Sequence, residues 1–393
     1  MRILITDSDI RSALAAVRAL GRRGHEVFVA GERHPSLASV SRYCAAFERY
    51  PSPTNDPQGF LNAILKAVTA RNIDVVIPMA EVSTLLLTTH QDQLPPNVIL
   101  PFPAAAAVAA AADKSQVLRI ASELGVPIPA TIVCNNAAEA LAQVERIGFP
   151  VVMKATRSRV WSGTQWLSTS VRYAPDRSSF ETHIAQISPL IYPLLLQERI
   201  QGPGVGVFLC HDDSGMVASF AHRRIREKPP SGGVSVLSES TLPDPTALEH
   251  ANRLLHALQW RGVAMVEFKR DSRDGSLKLM EINGRFWGSL QLAIDAGVDF
   301  PGLLVEIAQG RRPAAPQYRV GVRTRWLLGD LDALLAILLR SRSFLNLPAT
   351  HPGKLRSALS FLNFWPGRTR LELERLSDPR PALLEMKRWL LRR

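Results

Sequence analysis

Residues 263–285 read VAMVEFKRDSRDGSLKLMEINGR and carry the most informative pattern in the chain. Two apolar segments flank the polar turn DSRDGS, a pattern that predicts an antiparallel β-hairpin. If the turn is centred near Asp274, Glu267 faces Glu281 across the two strands, with Cβ atoms about 5 Å apart. Because both strands are apolar on both sides, the pair of carboxylates is predicted to be buried.

Two facing buried carboxylates repel each other and are costly to desolvate. Either one of them is protonated, or a cation lies between them. Asn283 falls on the same face as Glu281 and adds a neutral oxygen. Such oxygen ligands suit Mg²⁺, which binds proteins through one or two carboxylates plus substrate phosphates. The alternative is a pair of exposed or Arg-paired acids, and a register slip of one residue would separate them.

Two lysines upstream of the hairpin are candidate anion ligands. Lys154 ends the apolar strand VVMK, and a lysine on a buried strand needs an anionic partner; a lysine that snorkels from an edge strand is the alternative. Lys114 lies at a predicted helix start, where a cation is unfavourable to the helix dipole. That conflict hints at an anion nearby.

Arginines supply a third candidate group. The segment HRRIREKPPSGG, residues 222–233, carries Arg224 and Arg226 on a predicted strand, and guanidinium groups suit phosphate and carboxylate oxygens. A solvated basic edge is the alternative. Arg285 directly follows the hairpin acids and could clamp an anion beside a metal ion.

The first hundred residues alternate strands and helices. Their nearly continuous apolar strands predict a parallel sheet covered on both faces. Ligands of such sheets bind at the carboxyl ends of the strands, which places residues 8–11 and 78–81 near a pocket. No G-x-G-x-x-G follows the first strand, so a dinucleotide-binding Rossmann domain is disfavoured.

Charge and cysteine usage bound the class of protein. The 393 residues include 47 Lys and Arg against 35 Asp and Glu, but residues 311–393 hold 17 of the basic and only six of the acidic residues. Because the rest is nearly neutral and the basic segments lack interleaved aromatics, nucleic-acid binding is disfavoured. Cys44, Cys134 and Cys210 are widely spaced, which favours a reducing compartment. With no convincing signal or membrane span, a cytoplasmic protein is expected.

The order of these pieces resembles the ATP-grasp superfamily. Lys114, Lys154, the segment LLLQERIQG at 194–202 and the hairpin ending in MEINGR carry the resemblance, which covers about residues 113–310. The segments LMEINGRFWGSLQLA and HRRIREKPPSGGVSV look like a branch of predicted carboxylate–amine ligases related to the carbamoyl-phosphate synthase large subunit.

The resemblance implies an α/β fold of the α+β grasp type. Its parts are an N-terminal parallel-sheet pre-ATP-grasp domain (1–100), an ATP-grasp domain (101–310) with a lid subdomain at about 126–197, and a basic helical C-terminal region (311–393).

The resemblance also implies site roles. Lys114 and Lys154 would contact the phosphates of ATP, while Glu198 and the backbone at Arg199 and Ile200 would form the adenine hinge. Glu267, Glu281 and Asn283 would hold Mg²⁺, or Mn²⁺ in its place. Arg285, with Arg224 or Arg226, would orient the carboxylate substrate and the acyl phosphate. The family's glycine-rich lid loop should fall at 156–164, where TRSRVWSGT keeps Gly163 alone; Arg157, Arg159 or Ser162 would substitute for backbone cradling.

The expected activity is ATP-dependent amide formation from a carboxylate and an amine through an acyl phosphate. Two alternatives stay open: carboxylation or small-molecule phosphorylation on the same fold, and a non-catalytic nucleotide-binding regulatory protein. The basic C-terminus predicts either a helical cap on the grasp domain or peripheral contact with anionic membrane. For that contact, Trp389, Leu390 and Leu391 would be flanked by Lys387, Arg388, Arg392 and Arg393. A homodimer is a further open expectation.

Overall fold

The N-terminal domain is a four-stranded parallel sheet. The computed structural model describes residues 1–345, 347, 351–364 and 369–391. The strands follow the order β3-β2-β1-β4, and β1, β2 and β4 are almost wholly buried, as their apolar sequences predict. The elements are β1 (Arg2–Ile5), α1 (Arg11–Arg22), β2 (Glu26–Gly31), β3 (Cys44–Arg49), α2 (Pro57–Ala70), β4 (Val75–Ile77) and α3 (Glu81–Thr89).

A connector of two helices leads into a small antiparallel domain with strand order β5-β10-β6-β9. Helices α6 and α7 bury Ala140, Phe180 and Ile184 against this sheet, which gives the domain a core of its own. The elements are α4 (Ala105–Ala112), α5 (Lys114–Glu123), β5 (Thr131–Cys134), α6 (Ala137–Gln143), β6 (Val151–Ala155), β7 (Arg159–Trp161), β8 (Trp166–Ser168), β9 (Arg172–Ala174), α7 (Arg177–Ala185) and β10 (Leu194–Glu198). Strands β7 and β8 form a separate hairpin.

A seven-stranded sheet of order β15-β14-β11-β12-β13-β16-β17 forms the centre of the molecule. One face packs on α5 and α8, and the other shares a continuous apolar core with the N-terminal domain. Between residues 204 and 308, the elements of this part are β11 (Gly204–Asp212), β12 (Gly215–Lys228), β13 (Val234–Thr241), α8 (Pro245–Ala257), β14 (Gly262–Arg270), β15 (Leu277–Asn283), α9 (Leu290–Ala296) and α10 (Phe300–Ala308).

The C-terminal region differs from the helical prediction because it adds two strands to the central sheet. Its elements are β16 (Arg323–Arg325), α11 (Leu327–Leu339), α12 (Lys354–Leu362), β17 (Thr369–Leu371) and α13 (Arg380–Leu391). Strand β16 pairs antiparallel with β13 and parallel with β17. None of the helices in the described part of the chain has the length and hydropathy that a membrane crossing requires.

A buried arginine ties this region back to the N-terminal domain. Arg18, on α1, is 1% exposed and forms an ion pair with Asp378 at 2.8 Å. Its guanidinium also donates to the carbonyl oxygens of Glu372, Leu373 and Asp378. The chain after β17 is therefore held against the first helix of the protein, 360 residues away in sequence.

Candidate active site

The hairpin β14–β15 brings the two predicted metal ligands face to face. Glu267 pairs directly with Glu281, and Asn283 pairs with Met265, two positions further along the strands. A bulge at Met280 shifts the register between this pair and the turn, where Phe268 pairs with Leu279. Directly paired residues project from the same face of a sheet, so the carboxylates of Glu267 and Glu281 are neighbours.

Each carboxylate of the pair already has a basic neighbour. Arg224 donates to Glu267 Oε1 at 2.9 Å, and Lys114 Nζ lies 3.8 Å from Glu281 Oε2. Burial raises the pKa of Glu267, the Arg224 guanidinium opposes that rise, and the Glu281 carboxylate adds to it. Asn283 donates to the other oxygen of Glu281 at 2.9 Å. A further positive charge between the acids would favour the ionised form of Glu267.

The donor set fits a hard divalent cation that shares its ligands with phosphate. Glu267, Glu281 and the amide oxygen of Asn283 supply two carboxylates and one neutral oxygen, the ligand types that Mg²⁺ takes from protein. In the ranges that the structure describes, no group of three or more His, Cys, Asp or Glu side chains is arranged to hold a metal ion. Mg²⁺ prefers an octahedral shell, so these three oxygens would leave positions for phosphate oxygens and water.

Lys154 is buried without an anionic partner of its own. It lies on β6 with a relative exposure of 8%, and it makes no hydrogen bond or ion pair with any described residue. Burial lowers its pKa to about 8; the nearby charge of Lys114 lowers it too, and Glu281 partly opposes both effects. The ammonium groups of Lys114 and Lys154 thus converge beside the acid pair, where an anion would relieve their repulsion.

The segment predicted as the phosphate loop is fastened to the start of α5. Lys114 donates from Nζ to Ser158 Oγ at 2.9 Å and from its backbone to the carbonyl of Thr156 at 2.8 Å. Arg157 pairs with Asp113, whose carboxylate caps α5, at 3.2 Å. These contacts bring Lys114 and Ser158 to the wall of a small cavity that Glu281, Asn283 and Arg285 also line.

The rest of that segment forms the hairpin β7–β8. Ser162 and Gly163 lie at its exposed tip, where Ser162 Oγ accepts from the backbone of Gln165 and Gly163 has a φ of +96°. Neither residue lines the small cavity beside the acid pair. Trp166, the first residue of β8, donates its backbone N–H to the carbonyl of Thr54 at 2.9 Å, so the hairpin contacts the N-terminal domain.

The residues of the predicted adenine hinge make contacts within the protein. Glu198 accepts from the backbone of Ala130 at 2.9 Å and pairs with Arg273 at 2.8 Å. The carbonyl of Ile200 accepts from Lys269 at 3.2 Å, and the guanidinium of Arg199 stands over the ring of Tyr173 at 5.5 Å. Arg273 and Lys269 belong to the β14–β15 hairpin and its turn, so the predicted hinge contacts the same hairpin that carries the acid pair.

The three predicted arginines diverge. Arg224 reaches the acid pair, and Arg285 lies beside it, donating to Asn283 Oδ1 at 3.4 Å and to the carbonyl of Phe286 at 2.9 Å. Arg226 does not reach the acid pair. A β-bulge at Ile225 shifts the register of β12 against β13, and Arg226 forms a bidentate ion pair with Asp330 of α11.

A larger cavity of about 670 Å³ adjoins the small one, with Glu81 and Arg285 lining both. It lies at the carboxyl ends of the N-terminal strands, where Asp9, Ile10, Arg11, Met79 and Ala80 contribute to its wall, as their positions in the sequence predict. The lid hairpin contributes Arg159.

The C-terminal region closes the far side of this cavity, which the sequence did not reveal. Trp326 and Trp389 line it, and the Trp389 indole donates to Asp332 at 2.8 Å. Arg388 binds Asp9 at 2.6 Å. Arg388 and Trp389, predicted to contact lipid, thus face the protein, whereas Leu390 and Leu391 are exposed; Arg392 and Arg393 lie outside the described residues.

Asp7 is a further residue that sequence reasoning missed. It follows β1 with a φ of +57°, a conformation rare outside glycine, and its carboxylate accepts from Ser83 Oγ at 2.6 Å and from the backbone of Ala80 at 3.0 Å. Asp7 therefore fixes the start of α3, and with it Glu81, at the junction of the two cavities. The only available signal was its position at the end of a buried strand.

Comparisons with known proteins agree with this architecture. Residues 191–329 match a family model described as "ATP-grasp in the biosynthetic pathway with Ter operon". No curated protein sequence matches the chain.

Solved structures match over most of the chain at low identity. N5-carboxyaminoimidazole synthetase from Staphylococcus aureus has a TM-score of 0.65 at 14% identity, over 86% of this chain and 85% of that one. Biotin carboxylase from Campylobacter jejuni has a TM-score of 0.63 at 18% identity, over 82% of this chain and 74% of that one. L-amino acid ligase from Bacillus licheniformis has a TM-score of 0.56 at 14% identity, over 81% of this chain and 75% of that one. The chain has the ATP-grasp fold, as predicted from the order of its motifs.

Proposed function

We propose that this protein is an ATP- and Mg²⁺-dependent ligase that joins a carboxylate to an amine. In the first step, a carboxylate oxygen attacks the γ-phosphorus of ATP and ADP leaves, giving an acyl phosphate. In the second, the amine nitrogen attacks the acyl carbon, phosphate leaves, and the nitrogen gives up a proton. The similar structures include a synthetase, a ligase and a carboxylase. We extend the proposal to the branch of carboxylate–amine ligases related to the carbamoyl-phosphate synthase large subunit.

One observation carries the proposal: the paired acids Glu267 and Glu281 lie beside two lysines, Lys114 and Lys154, whose ammonium groups repel each other. Lys154 is buried and lacks a partner among the described residues, and its pKa is lowered to about 8 by that burial. Phosphoryl transfer needs positioning and charge neutralisation more than it needs a protein nucleophile. A cluster of this composition is suited to that task.

Each side chain of the site has a role that follows from its position. Lys114 and Lys154 would bind phosphate oxygens, and Glu267, Glu281 and Asn283 would hold Mg²⁺. When bound, the ion would neutralise charge on the phosphate oxygens. Arg285 lies between the small cavity and the large one, where it would orient the carboxylate of a substrate held in the larger space.

ADP release measured over pairs of carboxylates and amines, with mass detection of the product, tests the proposal. We expect Glu281→Gln to lower the rate at least about a hundredfold, because it removes one anionic metal ligand without changing shape. Glu123→Gln is the matched control, since Glu123 is exposed on α5 and forms an ion pair with Arg119 of the same helix.

The outcomes separate the alternatives. Bicarbonate-dependent ADP release without an amine would indicate carboxylation, and ADP release with a phosphorylated product would indicate a kinase. Tight ATP binding without turnover on any substrate would indicate a regulatory protein. Full activity of the Glu281→Gln protein would contradict the assignment of the metal site.

A further inference from the structure

The span from residue 333 to residue 371 has an unusual charge pattern. It contains six Lys and Arg residues and no Asp or Glu, although it holds many leucines and phenylalanines. The acidic residues that flank the span in sequence are engaged elsewhere: Asp330 pairs with Arg226 and Arg325, and Asp332 pairs with Lys228. Glu372, which follows the span, pairs with Arg11 of α1. The sequence of this span is therefore positively charged and rich in apolar residues.

Helix α12 carries its apolar stripe on the outside. Leu355, Leu359 and Leu362, at spacings of four and three, are 75%, 60% and 68% exposed. The opposite side faces the protein, where Ser357 is buried and the ring of Phe361 lies 4.1 Å from the guanidinium of Arg325. A helix of a globular protein normally buries its apolar stripe. This helix packs with its less apolar side and leaves the leucines in solvent.

Basic side chains flank the stripe on both sides. At about 100° per residue, Lys354 and Arg356 lie on opposite edges of the leucine face. Lys354 donates to the carbonyl of Leu338 at 2.7 Å, which ties α12 to the end of α11. Arg356 is exposed and makes no hydrogen bond or ion pair with any described residue.

The apolar surface continues onto the end of α11. Leu339 is 77% exposed and Phe344, in the turn that follows, is 65% exposed. The Arg340 guanidinium stands 4.9 Å from the ring of Phe344, so a further positive charge accompanies this part of the surface.

We propose that α12 and the end of α11 form an interfacial surface that binds anionic lipid, here called the α12 surface: Leu339, Phe344, Lys354, Leu355, Arg356, Leu359 and Leu362. Leucines flanked by basic residues are the composition of helices that lie in the plane of a membrane interface. Nine residues are far too few to span a bilayer, so α12 would lie on it. Each basic residue near an anionic surface adds about 1 kcal/mol of attraction.

Charge argues against a second copy of the chain as the occupant. In a twofold dimer through the α12 surface, this positively charged patch would face its own copy, and the span contains no acidic side chain to offset the repulsion. An anionic lipid surface supplies the missing negative charge.

Co-sedimentation of the full-length protein with phosphatidylcholine vesicles, with and without phosphatidylglycerol, tests the proposal. We expect salt-sensitive binding to the anionic vesicles only. Leu355→Ser/Leu359→Ser should reduce the partition coefficient roughly tenfold for each leucine. Arg356→Gln should reduce it about fivefold on anionic vesicles and leave neutral vesicles unaffected.

Leu383→Ser/Leu390→Ser is the matched control, because these leucines on α13 are 61% and 60% exposed and lie outside the α12 surface. It should bind vesicles like the wild type. The proposal is overturned if the wild type ignores anionic vesicles, or if the α13 variant loses as much binding as the α12 variant. It is also overturned if sedimentation velocity shows a dimer that the α12 variant dissociates, without any vesicle binding.

Discussion

Replacement of Lys154 by methionine should stabilise the unliganded protein and weaken its binding of nucleotide. Methionine matches the length of the lysine stem and removes the ammonium group. Lys154 as a whole is 8% exposed, and its ammonium group lacks a hydrogen-bonded or ion-paired anion among the described residues. A charge held in such a place opposes folding unless a ligand neutralises it.

The size of the effect follows from the pKa of Lys154, which falls from an ordinary 10.5 to about 8 in the folded protein. Each unit is worth about 1.4 kcal/mol, so the buried charge destabilises the fold by about 3 kcal/mol at pH 7. Because the folded-state pKa is the lower one, the penalty is complete below pH 8, declines as the pH rises, and vanishes above about 10.5.

Urea unfolding at pH 7 and at pH 10, with and without Mg²⁺ and a non-hydrolysable ATP analogue, measures both effects. We expect Lys154→Met to gain up to about 3 kcal/mol at pH 7, little at pH 10, and no further stability from the nucleotide. Lys66→Met, on an exposed position of α2, is the control. A destabilised Lys154→Met protein, or one that the nucleotide stabilises as it does the wild type, would refute the reasoning.

Two further substitutions probe the acid pair and the fold. Arg224→Ala removes the guanidinium that opposes the burial-raised pKa of Glu267, so the acidic limb of the pH profile of ADP release should move to higher pH; an unmoved limb would show that Glu267 does not need this partner. Arg18→Met removes the ion pair of the buried Asp378, which keeps hydrogen bonds from Ser41 Oγ and the backbone of Arg42. The free energy of unfolding should fall by about 3–5 kcal/mol in urea titrations, and a loss below about 1 kcal/mol would contradict the tethering of the C-terminal chain to α1.

The sequence predicts correctly that Glu267 and Glu281 lie opposite each other, but the predicted register does not include the β-bulge that produces this pairing. Near the turn, Phe268 pairs with Leu279, a register that would place Glu267 opposite Met280. The bulge at Met280 restores the pairing of the two acids. Apolar patterning locates the hairpin, but it does not encode the bulge.

Other features depend on contacts between distant parts of the chain. Arg226 and Arg224 look equivalent in sequence, yet Arg226 binds Asp330, 104 residues further on, whereas Arg224 binds Glu267. Strand β3 is half-exposed at a sheet edge, so its sequence CAAFER lacks the continuous apolar pattern that predicts its buried neighbours. Strand β16 is three residues long, which is too short to show any periodicity.

Electron paramagnetic resonance of Mn²⁺, used in place of Mg²⁺ with a non-hydrolysable ATP analogue, tests the acid-pair assignment most directly. The wild type should bind Mn²⁺ tightly only when the nucleotide is present, because protein and phosphates share the ion. The Glu267→Gln/Glu281→Gln protein should lose that nucleotide-dependent signal. If the double variant kept it unchanged, the two carboxylates would not be metal ligands.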